Sequence, residues 1–515
     1  MGSKSSSLNN TELKPLVDDS LSLSTDSVPK QTRCHAGGSL CLFACCGVVL
    51  IGAIAVGTML GLSSPMIPDI QRDTSKNAIH LSVTQASWFG ALVTLGGIVG
   101  GILAGFIIQA IGRRLTSILS AIPYIVGLLL ICFASRVWML YLGRVISGLG
   151  VGISSLIVPV YIGEIATAEV RGMLGSGTQL CIVIGILIIY GIGNCLPWRI
   201  LAAAAIAPPV LLAILSFFIP ETPRFLMMKK KPDEAKKALR RLRGVSADID
   251  EEYQELEDSL SQEVKPASWL EIIKDPGLRT PTLLSLGAMY FQQLSGINCV
   301  MFYAKTLFQE AGFNNPTQLS MALLLIAGVQ VLFTFISCLI IDKTGRKILI
   351  IIGAVFMTLS LIMFGVYFQL QSAHSSYMNE VALNNQTAMT NGSTAANPAS
   401  HHVPALTWLA LVSMMIFIAA YSIGIGPIAW LLVGEIIPVR ARGNSAGLAT
   451  AFNLFLVFIL TLEFSDMLAS MTPQGTFWFF AANCALSILF TVIFLPETKG
   501  KSLEEIEALF RPTSE

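Results

Sequence analysis

A chain of 515 residues could make three or four soluble domains by length alone, but 53% of it is hydrophobic, only 13% is charged, and the mean hydropathy is +0.69. A soluble protein needs more polar surface, and short charged clusters between long uncharged runs are the pattern of a polytopic membrane protein. A net charge of +1 argues against nucleic acid as a partner, and ten scattered cysteines with no C-x-x-C pair indicate neither a metal site nor a disulfide framework.

Residues 1–39 read as a cytoplasmic tail, rich in Ser, Asn and Asp and disordered for want of an apolar period. Within it, Met1-Gly2-Ser3-Lys4-Ser5-Ser6 fits a myristoylation pattern, and Glu12 to Val17 is close to an acidic dileucine signal of the kind a sorting adaptor reads. No signal peptide precedes the first apolar run, which is too long for an h-region. Runs long enough to cross a bilayer follow near 40–66, 86–109, 115–134, 139–162, 173–195 and 199–219. A linker over 220–280 contains two short amphipathic helices, KPDEAKKALRRLRG and IDEEYQELEDSL. Six more runs lie near 281–307, 319–341, 347–370, 405–433, 445–464 and 475–495, and a tail occupies 496–515. The expectation is an all-α membrane protein with twelve transmembrane helices, an N-terminal bundle over 40–219 and a C-terminal bundle over 281–495.

Lys and Arg set the orientation. Arg113, Arg114, Arg171, the 229–243 cluster, Lys343, Arg346, Lys347, Arg440, Arg442 and Lys499 fall on one side, and the loop 371–404 on the other side has neither. Both termini and the linker are therefore expected in the cytoplasm. The sequons at Asn385 and Asn391 lie in the predicted lumenal or extracellular loop, as glycosylation requires.

Three signatures occur twice in the same order: Gly112-Arg113-Arg114 with Gly345-Arg346-Lys347, Gly163-Glu164…Arg171-Gly172 with Gly434-Glu435…Arg442-Gly443, and Pro220-Glu221-Thr222 with Pro496-Glu497-Thr498. Six spans separate the copies, an even number, so both copies share a face and the repeat is parallel. The expectation is that Arg113, Glu164, Arg171, Glu221, Arg346, Glu435, Arg442 and Glu497 pair across the seam between bundles as an inner gate.

At these residues the chain resembles the sugar porters of the major facilitator superfamily, and within them the facilitative glucose transporters with a long glycosylated ninth loop, then the insect trehalose transporters. PVYIGEIA (159–166), PETPRFL (220–226), QQLSGIN (292–298), GPIAW (426–430) and PETKGKSLEEI (496–506) carry the likeness, which spans roughly residues 40–510. It implies the major facilitator fold and passage of a sugar by alternating access.

A hexose presents hydroxyls that both donate and accept, and leaving each unpaired when buried costs on the order of 1–3 kcal/mol. Uncharged amides answer both needs. Among those within spans, Gln179, Gln292, Gln293, Asn298, Gln330 and Asn453 stand out. On an ideal helix Gln292 and Asn298 would not share a face, so a break at Ser295-Gly296 is expected to turn Asn298 inward. The resemblance implies that all six contact sugar, with Gln330 standing where many members have Asn. It also implies that Trp430 packs on the ring and that Tyr421 lies nearby on the same span.

Proton-driven relatives carry a carboxylate in the first span, where this chain has Gly57-Thr58-Met59, and no Asp, Glu or His lies well inside any span. The reading is therefore a hexose uniporter, for glucose first, with no cofactor and no enzymatic machinery. The absence of buried charge also argues against ionic substrates. Proton-linked or trehalose transport and a sugar sensor are the alternatives. Gln109-Ala110 departs from the family's Asp-Arg before the first arginine motif, Ser422 replaces a common acid, and Leu454 replaces a common Trp. The carrier is expected to work as a monomer in the plasma membrane or an endolysosomal membrane.

Overall fold

The computed structural model describes residues 36–73, 79–244, 247–261, 267–313, 315–389, 404–438, 440–499, 501 and 503–510. Among the described residues every regular element is helical. The first span is α1 (Ala36–Gly61) continued after a break at Leu62 by α2 (Ser63–Arg72). Next come α3 (Val83–Ile111), α4 (Arg113–Cys132), α5 (Val137–Ile165) and α6 (Ala168–Gly193), and a sixth span in two pieces, α7 (Trp198–Ala204) and α8 (Ala207–Ser216). The linker folds as α9 (Pro223–Met228), α10 (Pro232–Arg243), α11 (Asp250–Ser261) and α12 (Trp269–Lys274).

The second half starts with α13 (Pro276–Gln293) and α14 (Ile297–Glu310), followed by α15 (Pro316–Thr344) and α16 (Arg346–Met389). The tenth span is α17 (Pro404–Ile423) plus α18 (Ile425–Ile436), then α19 (Arg442–Ser470), α20 (Thr472–Phe494) and the short α21 (Leu503–Ala508). Eleven spans are long and apolar enough to cross a membrane unaided, among the described residues. In the seventh, α14 is only 14 residues long and α13, with Arg279, two prolines and two glutamines, is too polar to qualify.

Several boundaries differ from the sequence reading. Helix α1 starts at Ala36 inside the expected tail, and α13 starts at Pro276 inside the expected linker, where Asp275 caps it by accepting the Gly277 N–H at 2.9 Å. The ninth loop is shorter than expected because α16 stays helical to Met389. Residues 371–389 contain no Pro or Gly, so no helix breaker stops the helix at the end of the apolar run. The side chain of Asn385, all of Asn391 and the patterns in residues 1–35 lie outside the described residues.

The packing repeats with the sequence. In the first half α1 packs on α6, α3 and α4 on α5, and α4 on α8. In the second α13 packs on α19, α15 and α16 on α17, and α16 on α20, the same scheme six spans later. Between halves, α3 packs on α19 and α6 on α15, contacts that exchange when the halves are exchanged. Small residues permit the closest crossings. A Cβ at Gly148 of α5 would strike the Val93 carbonyl and Cα of Gly96 on α3, and one at Gly152 the Gly97 carbonyl. Gly148→Val should therefore cost at least about 3 kcal/mol, read as loss of monodisperse protein after mild heating. Gly105→Ala on α3, where an added Cβ meets nothing within 4 Å, should leave the thermal profile unchanged.

Candidate functional site

Helix α13 stops at Gln293 because Gly296 takes φ +83°, a left-handed conformation that ends one helix and starts the next. The expected break at Ser295-Gly296 is thus present, and it brings Asn298 back toward Gln293. The Asn298 Nδ2 donates to Gln293 Oε1 at 2.5 Å. Gln293 Nε2 donates to Asn453 Oδ1 on α19 at 3.0 Å. Asn453 Nδ2 donates to Gln292 Oε1 at 2.8 Å, and Gln292 Nε2 to the Gly426 carbonyl on α18 at 2.7 Å. Four amides from three helices form one buried, uncharged network, with Asn298 its most exposed member.

The other predicted residues make no hydrogen bond to this network among the described contacts. Gly426 and Trp430 are one turn apart on one face of α18, and the indole is 40% exposed. Tyr421 is buried with its ring against Gly426. Gln330 is buried on α15, and its Oε1 has no hydrogen-bond partner among the described residues. Gln179 is half-buried on α6, and the neighbouring Thr178 Oγ1 is also unpartnered. Ser422 Oγ is unpartnered too.

At the basic end of each half, residues of the three duplicated signatures form one clamp. Arg113 Nη2 pairs with Glu164 at 2.6 Å, and Thr222 donates to the other Glu164 oxygen at 2.6 Å. In the second half Arg346 Nη2 pairs with Glu435 at 3.0 Å, and Thr498 donates to its other oxygen at 2.6 Å. Glu221 accepts the backbone N–H groups of Arg113 and Arg114, and Glu497 those of Arg346 and Lys347. Each thus places a carboxylate on the positive N-terminal end of a helix, α4 or α16. Gly112 (φ +93°) and Gly345 (φ +101°) precede those helices, and a Cβ at either would collide with the carboxylate. Burial is the largest influence on Glu221 and leaves its carboxyl above the usual range despite the N–H bonds. At Glu497 burial is again largest singly, but the combined N–H bonds of Lys499, Arg346, Lys347 and Thr498 hold the carboxyl below that range.

The expectation of pairs meeting across the seam is corrected here: both ion pairs lie within a half. Each pair stays within one bundle because α4 packs beside α5, which carries Glu164, and α16 beside α18, which carries Glu435. Glu221 and Glu497 cap helices α4 and α16. Arg442 Nη2 reaches the Ile437 carbonyl at 3.4 Å, and the Arg171 side chain lies outside the described residues. The linker grips both halves: Arg243 donates to the Ile165 carbonyl at the end of α5 while paired with Glu252, and Ala267 N–H donates to the Arg440 carbonyl.

Sequence reading also missed a buried charge. Arg144 on α5 is fully buried and carries the largest fully buried side chain. It donates to the carbonyls of Phe89 and Met59 and to Ser63 Oγ, and its guanidinium stacks over the Phe89 ring. A lone Arg in an uncharged run was the signal that could have found it. Its acceptors are neutral, and Met59 occupies the first-span stretch where proton-driven relatives carry an acid.

Residues 45–510 match the family described as Sugar (and other) transporter. The chain belongs to that sugar transporter family. It is 42% identical over 460 residues to the mouse solute carrier family 2, facilitated glucose transporter member 8, covering 89% of this chain and 92% of that one. It is 38% identical over 462 residues to the facilitated trehalose transporter Tret1 of Culex quinquefasciatus, covering 89% and 84%. Its fold matches the xylose transporter XylE of E. coli in a partially occluded inward open conformation, with a TM-score of 0.72 at 24% identity over 90% of this chain and 100% of that one. A proton:xylose symporter XylE structure bound to 6-bromo-6-deoxy-D-glucose gives a TM-score of 0.72 at 25% identity, over 92% and 100%. This sugar transporter is thus an all-helical membrane protein of the major facilitator fold, and it is not an enzyme.

Proposed function

We propose that this transporter carries a hexose, glucose first, by facilitated diffusion through alternating access of its two bundles, 40–219 and 281–495. The observation that carries the reading is the network of four uncharged amides at the break in the seventh span, with no carboxylate in it. Such groups can exchange their mutual hydrogen bonds for those of a neutral polyol at little net cost. Gln179 and the unpartnered Gln330 oxygen offer further contacts from α6 and α15, Trp430 offers an apolar face for the ring, and Tyr421 lines the same wall.

In this reading the basic face is cytoplasmic, with both termini and the 220–280 linker on that side, and Asn385 and Asn391 are glycosylated on the other. The Arg113–Glu164 and Arg346–Glu435 clamps keep each bundle rigid while the seam, flanked by Arg171 and Arg442, opens and closes. The protein acts as a monomer at the plasma membrane or an endolysosomal membrane, with the tail of residues 1–39 available to a sorting adaptor.

Trehalose is the second reading, supported by the insect relatives. Uptake into proteoliposomes of labelled glucose, fructose and trehalose, each with and without an inward proton gradient, separates them. Glucose uptake that a gradient does not accelerate is the expected result; trehalose uptake exceeding that of glucose selects the second reading, and gradient-driven accumulation refutes uniport.

A further inference from the structure

The face opposite the basic one is closed by contacts between halves, and one pair of these is unusual. Helix α14 contains a non-helical residue, Tyr303 (φ −111°, ψ 16°). In a regular helix the Lys305 N–H would donate to the Met301 carbonyl around a ring that encloses Tyr303. Both of those backbone groups have partners in the other half. Lys305 N–H donates to Ser64 Oγ on α2 at 3.2 Å, and the Met301 carbonyl accepts from the Tyr190 hydroxyl on α6 at 2.5 Å. Tyr190 and Ser64 are fully buried, so neither hydroxyl could trade its partner for water while the halves are together.

We infer that Tyr190 and Ser64 are positioning residues for transport: they latch the kinked form of α14 and hold the non-basic end of the seam shut. The physical reason is the cost of an unpaired buried backbone group. The dihedrals at Tyr303 distort the ring that would join this donor and acceptor, and the first half supplies a complementary acceptor and donor. When the halves part at this end, both groups lose these partners and depend on the Lys305–Met301 bond alone, which is strongest in a straight helix. Straightening of α14 and opening of the seam are thereby one event. The latch lies on the same broken span as the amide network, which couples the end of the seam to the site through a single helix.

This inference rests on the alternating-access reading, and its test separates the two. Spin labels at Val83→Cys on α3 and Ala469→Cys on α19, both exposed at the non-basic end of the contact between halves, report opening as a longer distance in nanodiscs. In the parent the short distance dominates and sugar changes the populations. Tyr190→Phe, which removes only the hydroxyl, should raise the ratio of long to short about fivefold, the effect of one net hydrogen bond on a two-state equilibrium. Ser64→Ala should shift it in the same direction. Distances that sugar changes but neither substitution moves overturn the latch alone. A single fixed distance in all variants overturns the latch together with the rocking scheme.

Discussion

Gln292→Ala lowers the sugar uptake rate at limiting concentration by about one to two orders of magnitude, the cost of one to two unpaired buried polar groups. Gln292 is 1% exposed and touches three partners, the Gly426 carbonyl, Asn453 Nδ2 and Gln293 Nε2. Its removal strands the Gly426 carbonyl and deprives a bound hydroxyl of a donor and an acceptor. Polar side chains between membrane helices also serve as glue, which would predict a stability loss with unaltered affinity. Asn298→Ala discriminates, since Asn298 is the more exposed member and makes one bond within the network. It should lower uptake and sugar binding by isothermal titration, with thermal stability kept within about 1 kcal/mol. Unchanged uptake in both variants refutes the assigned site.

Arg113→Ala should be the most destabilising single change at the basic face, by about 3–5 kcal/mol, since it leaves a nearly buried carboxylate without its counter-charge. The side chains of Arg113 and Glu164 are 8% and 11% exposed, against 11% and 20% for Arg346 and Glu435. Arg346→Ala should therefore cost less, because water reaches Glu435 more easily. The double variant Arg113→Met with Glu164→Met should recover much of the loss, because it removes the stranded charge as well as the pair. Thermal unfolding followed by size-exclusion chromatography reads all four proteins. Equal stability of Arg113→Ala and the parent would refute a structural clamp.

Much of this protein was legible without coordinates. Hydrocarbon thickness fixes the length of an apolar run, so the spans could be counted, and a duplicated signature separated by six of them could mean only a parallel repeat. The break at Ser295-Gly296 was legible for a local reason: Gln292 and Asn298, six residues apart, cannot share a helical face, and glycine tolerates the left-handed turn that brings Asn298 onto Gln293 of the same network. Sequence spacing said nothing about partners. Whether Glu164 reached an arginine of its own bundle or of the other depended on which helices pack side by side, and Glu221 became a helix cap only because α4 begins beside it.

Arg144 went unread because its cost is met by the carbonyls of Met59 and Phe89 and by Ser63, acceptors that carry no mark in sequence. The latch of Tyr190 and Ser64 on α14 was out of reach for the same reason, since its other halves are backbone groups that every residue has. Composition and periodicity determined what must cross the membrane and which groups could meet a sugar, because those follow from transfer free energy and local geometry. Tertiary structure alone decided which polar groups face one another, because a hydrogen bond in a low-dielectric interior depends on positions to within tenths of an ångström.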